Sequence, residues 1–405
     1  MKKYQHVIIV CLILFSVFLL YFCIPEENRF IKDADEGYYF KFADIIAEKG
    51  ISAFPPLIKS YAIDTQAHLY PPPSRVGHIL LTALWFKIFG ASFINLAKFS
   101  FFCYTLFILA CFYFSKKIFS KNISYPFTLL VSSSPLIMAM GKRALMDSNV
   151  NLFWALSIWS FIDFLISKKK KKFSIFLLIY SFSIMVKESS LALMVFFIAF
   201  FLIHKYYFKN SISDLYLLGI IFIPLVLVGT FYISLLGGIA NFISLIKGLL
   251  DTHFGSVKLS KYAVLFCSGA WYRYIIDYLL LSPITTLLFI GYTGYILVSR
   301  KWEWKITYFL LCFLIIFVVF SSLKYSKVVR FVIILDMVIN LCSVIMLYEL
   351  FRIKNKNKQA LWVFISVIAI FFVNYLNFNY LFCELNIYDP VTYWLLMAKK
   401  IIPFM

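Results

Sequence analysis

Residues 7–24, VIIVCLILFSVFLLYFCI, run long enough to reach across a bilayer core without a single charged side chain. Ten more apolar runs follow, near 93–115, 124–141, 150–166, 173–186, 189–204, 214–236, 277–298, 305–323, 328–350 and 360–382. Most have the roughly 17–25 residues that a helix needs to cross hydrocarbon, although 173–186 and 189–204 are short. A water-soluble domain of 405 residues could not hide a chain that is 62% hydrophobic and 14% charged. The first run follows Lys2 and Lys3, and no small-x-small cleavage site precedes Pro25. It reads as a retained span rather than a signal peptide. The expectation is an all-α polytopic membrane protein with about eleven transmembrane helices.

Charge placement orients those spans. Lys116, Lys117 and Lys121 share one short connection, and Lys168 to Lys172 are five lysines in a row. Further basic groups stand at Lys205 and Lys209, at Arg300, Lys301 and Lys305, and at Arg352, Lys354, Lys356 and Lys358. Each second connection is basic and nearly free of acid, which is how cytoplasmic loops are marked. The lysines read as topological anchors. The net charge of +20 then reports the cytoplasmic face of a bilayer, not a nucleic-acid partner.

Residues 76–90 (VGHILLTALWFKIFG) test this orientation. As a span they would place Lys116–Lys121 and Lys168–Lys172 outside, so they are assigned to a helix lying at the interface. The N-terminus is then cytoplasmic. The first outer loop covers 25–92 with juxtamembrane helices, and a second long outer loop covers 237–276. Residues 1–382 form one transmembrane domain and 383–405 a short outer tail.

On that topology the unusual polar residues gather outside. The first loop carries the adjacent carboxylates Asp35 and Glu36, with Tyr39, His68, Tyr70 and Arg75. The turn 141–149 adds Lys142, Arg143 and Asp147, the turn 186–190 adds Lys187 and Glu188, and GAWYRYIID adds Trp271, Tyr272 and Arg273. The turn KYSKVVR adds Lys324, Lys327 and Arg330 against the positive-inside trend. Ionisable groups near membrane depth are expensive and mark functional sites by default. A carboxylate there suits removal of a proton from an acceptor hydroxyl, and Arg and Lys suit a departing phosphate. Plainer roles exist for each. Asp35 could be the N-cap of a helix from Glu36 to Glu48, and Asp147 could cap the span after it. Lys187 and Glu188 could be a satisfied pair, and Tyr38, Tyr39 and Phe42 interfacial aromatics.

No compact set of metal ligands appears. The eight cysteines form no CxxC pair and the five histidines are scattered.

Several segments, in order, resemble the lipid-linked-sugar glycosyltransferases of the GT-C fold, in particular the protein O-mannosyltransferase and aminoarabinose lipid A transferase group. DEGYYFKFADIIAEKG is similar to that group's D-E-x-x-Y loop, and LYPPPSRVGHILLTALWFKIFG to its His-Pro-Pro segment and following helix. KRALMDSNVNLFWAL resembles its R-x-x-x-x-D turn and VKESSLAL its Lys-containing turn. GAWYRYIIDYLLLSP and KVVRFVIIL resemble its W-x-x-Y and Arg-Tyr segments. The likeness spans about residues 33 to 335.

The resemblance implies a GT-C fold and a sugar donor on a polyprenyl phosphate, presented at the outer face. It implies Asp35 as base with Glu36 in support, and Asp147 as a second acidic position. Arg143, Lys187 and Arg330 would surround the lipid phosphate. Lys324, Tyr70 and Arg75 are grouped with these, and Tyr39, His68, Trp271 and Tyr272 are taken as substrate-lining. Direct attack with inversion is implied, with no nucleotide-sugar and no cofactor, although a divalent cation stays compatible. The acceptor would be a glycan, a lipid or a protein at the outside of a bacterial cytoplasmic membrane. Three departures stand out. Tyr70 replaces the usual His before Pro-Pro, Arg330 is followed by Phe331, and the length leaves no room for a large soluble C-terminal domain or a MIR-type insert. A non-enzymatic transporter or flippase of polyprenyl-linked glycans is the competing reading.

Overall fold

The computed structural model describes residues 3–64, 67–255, 260–325, 327–352, 355–387 and 389–398. Among the described residues every regular element is helical. Lys354 and residues 399–405 of the expected tail lie outside them.

Helix α1 (Lys3–Phe22) is followed by a segment folded as α2 (Asp35–Lys49), α3 (Phe54–Ile63) and α4 (Val76–Phe89). At about 1.5 Å per residue, α4 is too short to cross hydrocarbon. It packs instead against α2, α5 (Phe93–Ile118) and α9 (Lys170–Val186). Its 14 residues are compatible with the expected interfacial helix. Gly77 lets it approach closely, because a Cβ there would lie 2.9 Å from the backbone nitrogen of Val186.

After α5 come α6 (Lys121–Ser132) and α7 (Pro135–Gly141), bent 59° from each other. Pro135 opens α7 and keeps Ser134 extended, so the helix cannot continue through the Ser133-Ser134 break. The chain goes on through α8 (Asp147–Ser167), α9, α10 (Ala192–Leu202), α11 (Leu215–Leu236), α12 (Ile239–Phe254) and α13 (Lys261–Phe266). It ends with α14 (Arg273–Leu281), α15 (Pro283–Ser299), α16 (Trp304–Ser322), α17 (Ile334–Leu350), α18 (Lys356–Phe378) and α19 (Pro390–Ala398).

All eleven apolar runs fold as helices, but fewer than eleven qualify alone as spans. Among the described residues seven helices are long and apolar enough to cross a membrane, or eight with the bent α6–α7 pair. The other three, α9, α15 and α17, have 17 residues each. That is about 25 Å, at the short end of what crosses a bilayer. Two expected runs are not continuous α-helices. Run 277–298 is split at Ser282 by Pro283, and run 328–350 becomes a helix only from Ile334.

Helix α8 is the centre of the bundle, 78% of its span buried, against 22% for α1 and α11. It packs against α5 and α9, and Trp154, Trp159, Phe161 and Phe164 are fully buried along it. This all-round burial is why both ends of α8 carry ionised groups that must be paired inside the protein. At the C-terminal end, Lys117 and Lys172 lie 2.5 and 2.8 Å from the buried Asp163. Lys305 donates to the Ile118 carbonyl and Tyr348 to the Asn122 carbonyl. The basic loops thus converge on one end of the bundle. Two lysines expected to be pure anchors also neutralise a buried carboxylate.

Candidate active site

The opposite end of α8 gathers charges from five stretches of chain. Helix α2 begins with Asp35, and the preceding strand of chain folds tightly back over it. A Cβ on Gly37 would overlap the Lys32 carbonyl at 1.7 Å, so this turn requires glycine. Neither Asp35 nor Asp147 makes the cap hydrogen bond that a plain capping role demands. The N-cap positions belong to Ala34 and Met146, and both carboxylates form ion pairs instead.

Arg330 links the two. Its Nη2 donates to Asp35 Oδ2 at 2.5 Å, and its Nη1 lies 3.6 Å from Asp147 Oδ2. Lys187 Nζ is 3.9 Å from the other oxygen of Asp147 and sits 4.3 Å over the Phe331 ring. Arg143 grips Glu36 with both arms, Nε to Oε1 at 2.7 Å and Nη2 to Oε2 at 3.2 Å. Glu36 Oε2 also accepts from the Ile31 backbone, which fixes the loop before α2. Arg75 grips Glu188 in the same bidentate way, at 3.2 and 2.7 Å, and donates to the Tyr39 hydroxyl.

These eight side chains comprise four cations (75, 143, 187, 330) and four carboxylates (35, 36, 147, 188). Asp35 is the open member, its side chain 35% exposed against 4% for Asp147 and 17% for Arg330. Lys142, beside Arg143, turns away to the Phe382 carbonyl.

Electrostatics follow the geometry. Burial lowers Lys187 to about 8, with Asp147 opposing and Arg75 reinforcing the shift. Burial also works against the Arg330 charge, but Asp35 and Asp147 outweigh it and hold the guanidinium above its usual range. His78, buried beneath Tyr39 and hydrogen-bonded to Asn149, is pushed down to about 3 and stays neutral.

One expected pairing is corrected, and four of the expected site residues stand apart from the ion-pair group. Lys187 and Glu188 do not pair with each other, since Glu188 goes to Arg75 and Lys187 faces Asp147. His68 joins α3 to α12 through Asp251 and the Tyr61 carbonyl, a fastening between outer helices. Trp271 is 63% exposed with its ring against Phe317, and Tyr272 is exposed beside it. Lys324 is exposed against Tyr325. These four stay outside the ion-pair group. Tyr70 is partly exposed and stacks at 4.4 Å on Tyr38, one helical turn along α2 from Asp35. Among the described residues no three His, Cys, Asp or Glu side chains come close enough to hold a metal ion together.

The architecture defines the class. This is a GT-C membrane fold, with a mostly helical segment after the first helix packed over one end of a helix bundle. The resemblance read from the ordered motifs is upheld. Residues 75–231 match the family model described as dolichyl-phosphate-mannose-protein mannosyltransferase. That stretch contains Arg75, Arg143, Asp147, Lys187 and Glu188, while Asp35, Glu36 and Arg330 lie beyond it.

Among solved structures, the chain is similar to ArnT from Cupriavidus metallidurans in its apo state. The TM-score is 0.59 at 13% identity, covering 91% of this chain and 75% of that one. The same enzyme bound to undecaprenyl phosphate gives 0.59 at 12%, covering 93% and 76%. The Archaeoglobus fulgidus oligosaccharyltransferase tethered to an acceptor peptide gives 0.61 at 10%, covering 93% of this chain and 55% of that one. No curated protein matches the sequence.

Proposed function

We propose that this protein is a membrane glycosyltransferase. It moves a sugar from a polyprenyl-phosphate donor to an acceptor hydroxyl on the outer face of a bacterial cytoplasmic membrane. The observation that carries the reading is Arg330 held between Asp35 and Asp147, with only Asp35 substantially open to solvent. The mannosyltransferase-family match and the fold of a solved protein that binds undecaprenyl phosphate support a lipid-linked donor. The outer location is favoured because the basic loops converge on the far end of α8, about 24 Å from Asp147 along the helix.

The arriving donor phosphate is a second anion for Arg330. It takes the guanidinium in place of Asp35, while Asp147 keeps the other arm in position. Asp35, now free of its partner, accepts the proton of the acceptor hydroxyl. The acceptor oxygen attacks the anomeric carbon as the bond from that carbon to the phosphate oxygen breaks. The phosphate leaves with the electron pair, stabilised by Arg330 and Lys187, and the anomeric configuration inverts. Glu36 supports the site by neutralising Arg143, and Arg75–Glu188 holds the Tyr39 end of α2. The donor sugar, the acceptor class (glycan, lipid or protein) and any divalent cation are not specified by these residues.

The test is to incubate purified protein with a panel of polyprenyl-phosphate sugars and measure released polyprenyl phosphate. Release by the wild type and its loss in Asp35→Asn are expected. Full activity in Asp35→Asn sinks the assignment of the base. Movement of donor lipid across vesicles without any release sinks the transferase itself in favour of a flippase.

A further inference from the structure

Arg330 sits on a turn, residues 327–333, that is fastened from behind by groups outside the ion-pair site. The backbone of Lys327 donates to the Cys267 carbonyl at 2.7 Å, and its Nζ donates to the Gly269 carbonyl at 2.7 Å. The Tyr278 hydroxyl donates to the Val332 carbonyl at 2.7 Å. Val329, the residue before Arg330, donates its backbone N–H to Asp389 Oδ2 at 2.8 Å.

Asp389 is the junction. It is buried, and its other oxygen accepts from Arg273 Nη2 at 3.0 Å and from the Thr392 backbone at 2.8 Å, as a helix cap for α19. Arg273 is equally buried and spends Nη1 on the carbonyls of Phe266 and Ser268, both at 2.6 Å. Asp277, fully buried, has Oδ2 3.9 Å from Arg273 Nε and accepts from the Val391 backbone through Oδ1. Three chain segments therefore meet in one charged knot: the start of α14, the Arg330 turn and the first residues of α19.

Such a knot is expensive to bury, and two buried ions are commonly replaceable by apolar packing without loss of stability. Its direction is informative. One oxygen of Asp389 is aimed at the amide next to the residue that contacts Asp35 and Asp147.

We propose that Asp389, held by Arg273, is a positioning residue for Arg330, so the segment after the last span completes the site by acting as a strap. The strap sets where the guanidinium stands between the two aspartates. This rests on the glycosyltransferase reading for its functional consequence, but not for its structural one.

Two measurements separate them. Hydrogen exchange of purified Asp389→Asn in lipid nanodiscs reads the strap directly. Amides of 327–333 are expected to exchange about ten to a hundred times faster, the loss of one charged buried hydrogen bond, while α8 keeps its protection. Unchanged exchange in that turn overturns the proposal, and so does a uniform rise across the protein, which marks mere loss of stability.

Transfer kinetics read the consequence. Asp389→Asn is expected to raise donor KM about tenfold, and to add nothing in an Arg330→Lys background, where the group it positions has already been changed. An equal loss in both backgrounds overturns the link to Arg330. If Asp389→Asn does not fold, Tyr278→Phe removes a milder fastening of the same turn. It is expected to speed exchange of 327–333 about threefold, and no change there overturns the proposal. A wild type that releases no polyprenyl phosphate defeats the enzyme reading alone, and exchange still decides the strap.

Discussion

Asp147 and Asp163 stand near the two ends of the same buried helix, equally hidden, yet their partners differ. Asp163 has two ammonium groups at 2.5 and 2.8 Å, close enough to close the carboxylate completely. Asp147 has its cations at 3.6 and 3.9 Å, beyond ordinary hydrogen-bond contact. A buried charge gains stability only when its partners come close, so the first arrangement is a staple. The second leaves its cations held only loosely by Asp147.

Substitutions at the two ends should therefore fail differently. The largest contrast is between Asp35→Asn, at the open end, and Asp163→Asn, at the closed one. Asp35→Asn is expected to lower kcat by about 10²–10⁴, the worth of a general base, with the melting curve in detergent unchanged. Asp163→Asn should do the reverse, lowering the melting temperature while kcat holds. Equal catalytic losses would erase the distinction.

Next in size is Arg143→Ala, which strands the buried Glu36 and should cost about 3–5 kcal/mol in stability. Chemical denaturation of the purified protein checks this, and a Glu36→Gln change in the same chain should recover part of the loss. A smaller effect is expected of Arg330→Lys. It keeps the charge but loses the two-armed reach between Asp35 and Asp147, so donor KM should rise about tenfold in steady-state assays.

The smallest is a pH effect. Lys187 holds its proton less tightly than a free lysine, down to about 8. Its positive charge is present below that pH and lost above it, so donor KM should climb as pH passes about 8. Lys187→Arg should flatten the climb. Between about 8 and the free-lysine value near 10.5 the unfolded chain binds more protons, so this group's share of stability should rise with pH across that window. A flat KM profile in the wild type would remove Lys187 from the phosphate's surroundings.

Much of this architecture could be read from the chain, because hydropathy runs and lysine placement obey the bilayer more than local packing. Asp35 and Glu36 were visible for the same reason: two carboxylates at a helix start are conspicuous in so apolar a sequence. The pairings were not. Arg143–Glu36 and Arg75–Glu188 join residues more than a hundred positions apart, and no local spacing encodes that.

The one pair that adjacency suggested, Lys187–Glu188, fails for a backbone reason. Lys187 is extended, at φ −154° and ψ 129°, which points consecutive side chains apart. Asp389 did carry a signal, since Asp followed by Pro390 is a helix start, but its value lies in the distant Val329 amide it also serves. His68 sits beside the Pro-rich segment in sequence, while its ring is committed to Asp251.

The even balance of four cations and four carboxylates bears on selectivity toward dissolved anions. A charge group with no net charge has little pull on chloride or orthophosphate, because any anion must first evict Asp35 from Arg330. A small ion brings nothing to offset that eviction, whereas a lipid-borne phosphate brings the partitioning of its tail. The ion-pair group should therefore ignore free phosphate at millimolar levels while responding to the membrane-anchored form, and titrating inorganic phosphate into the release assay measures this directly. Pronounced inhibition by the free ion would mean that Arg330 is not guarded by Asp35 at all.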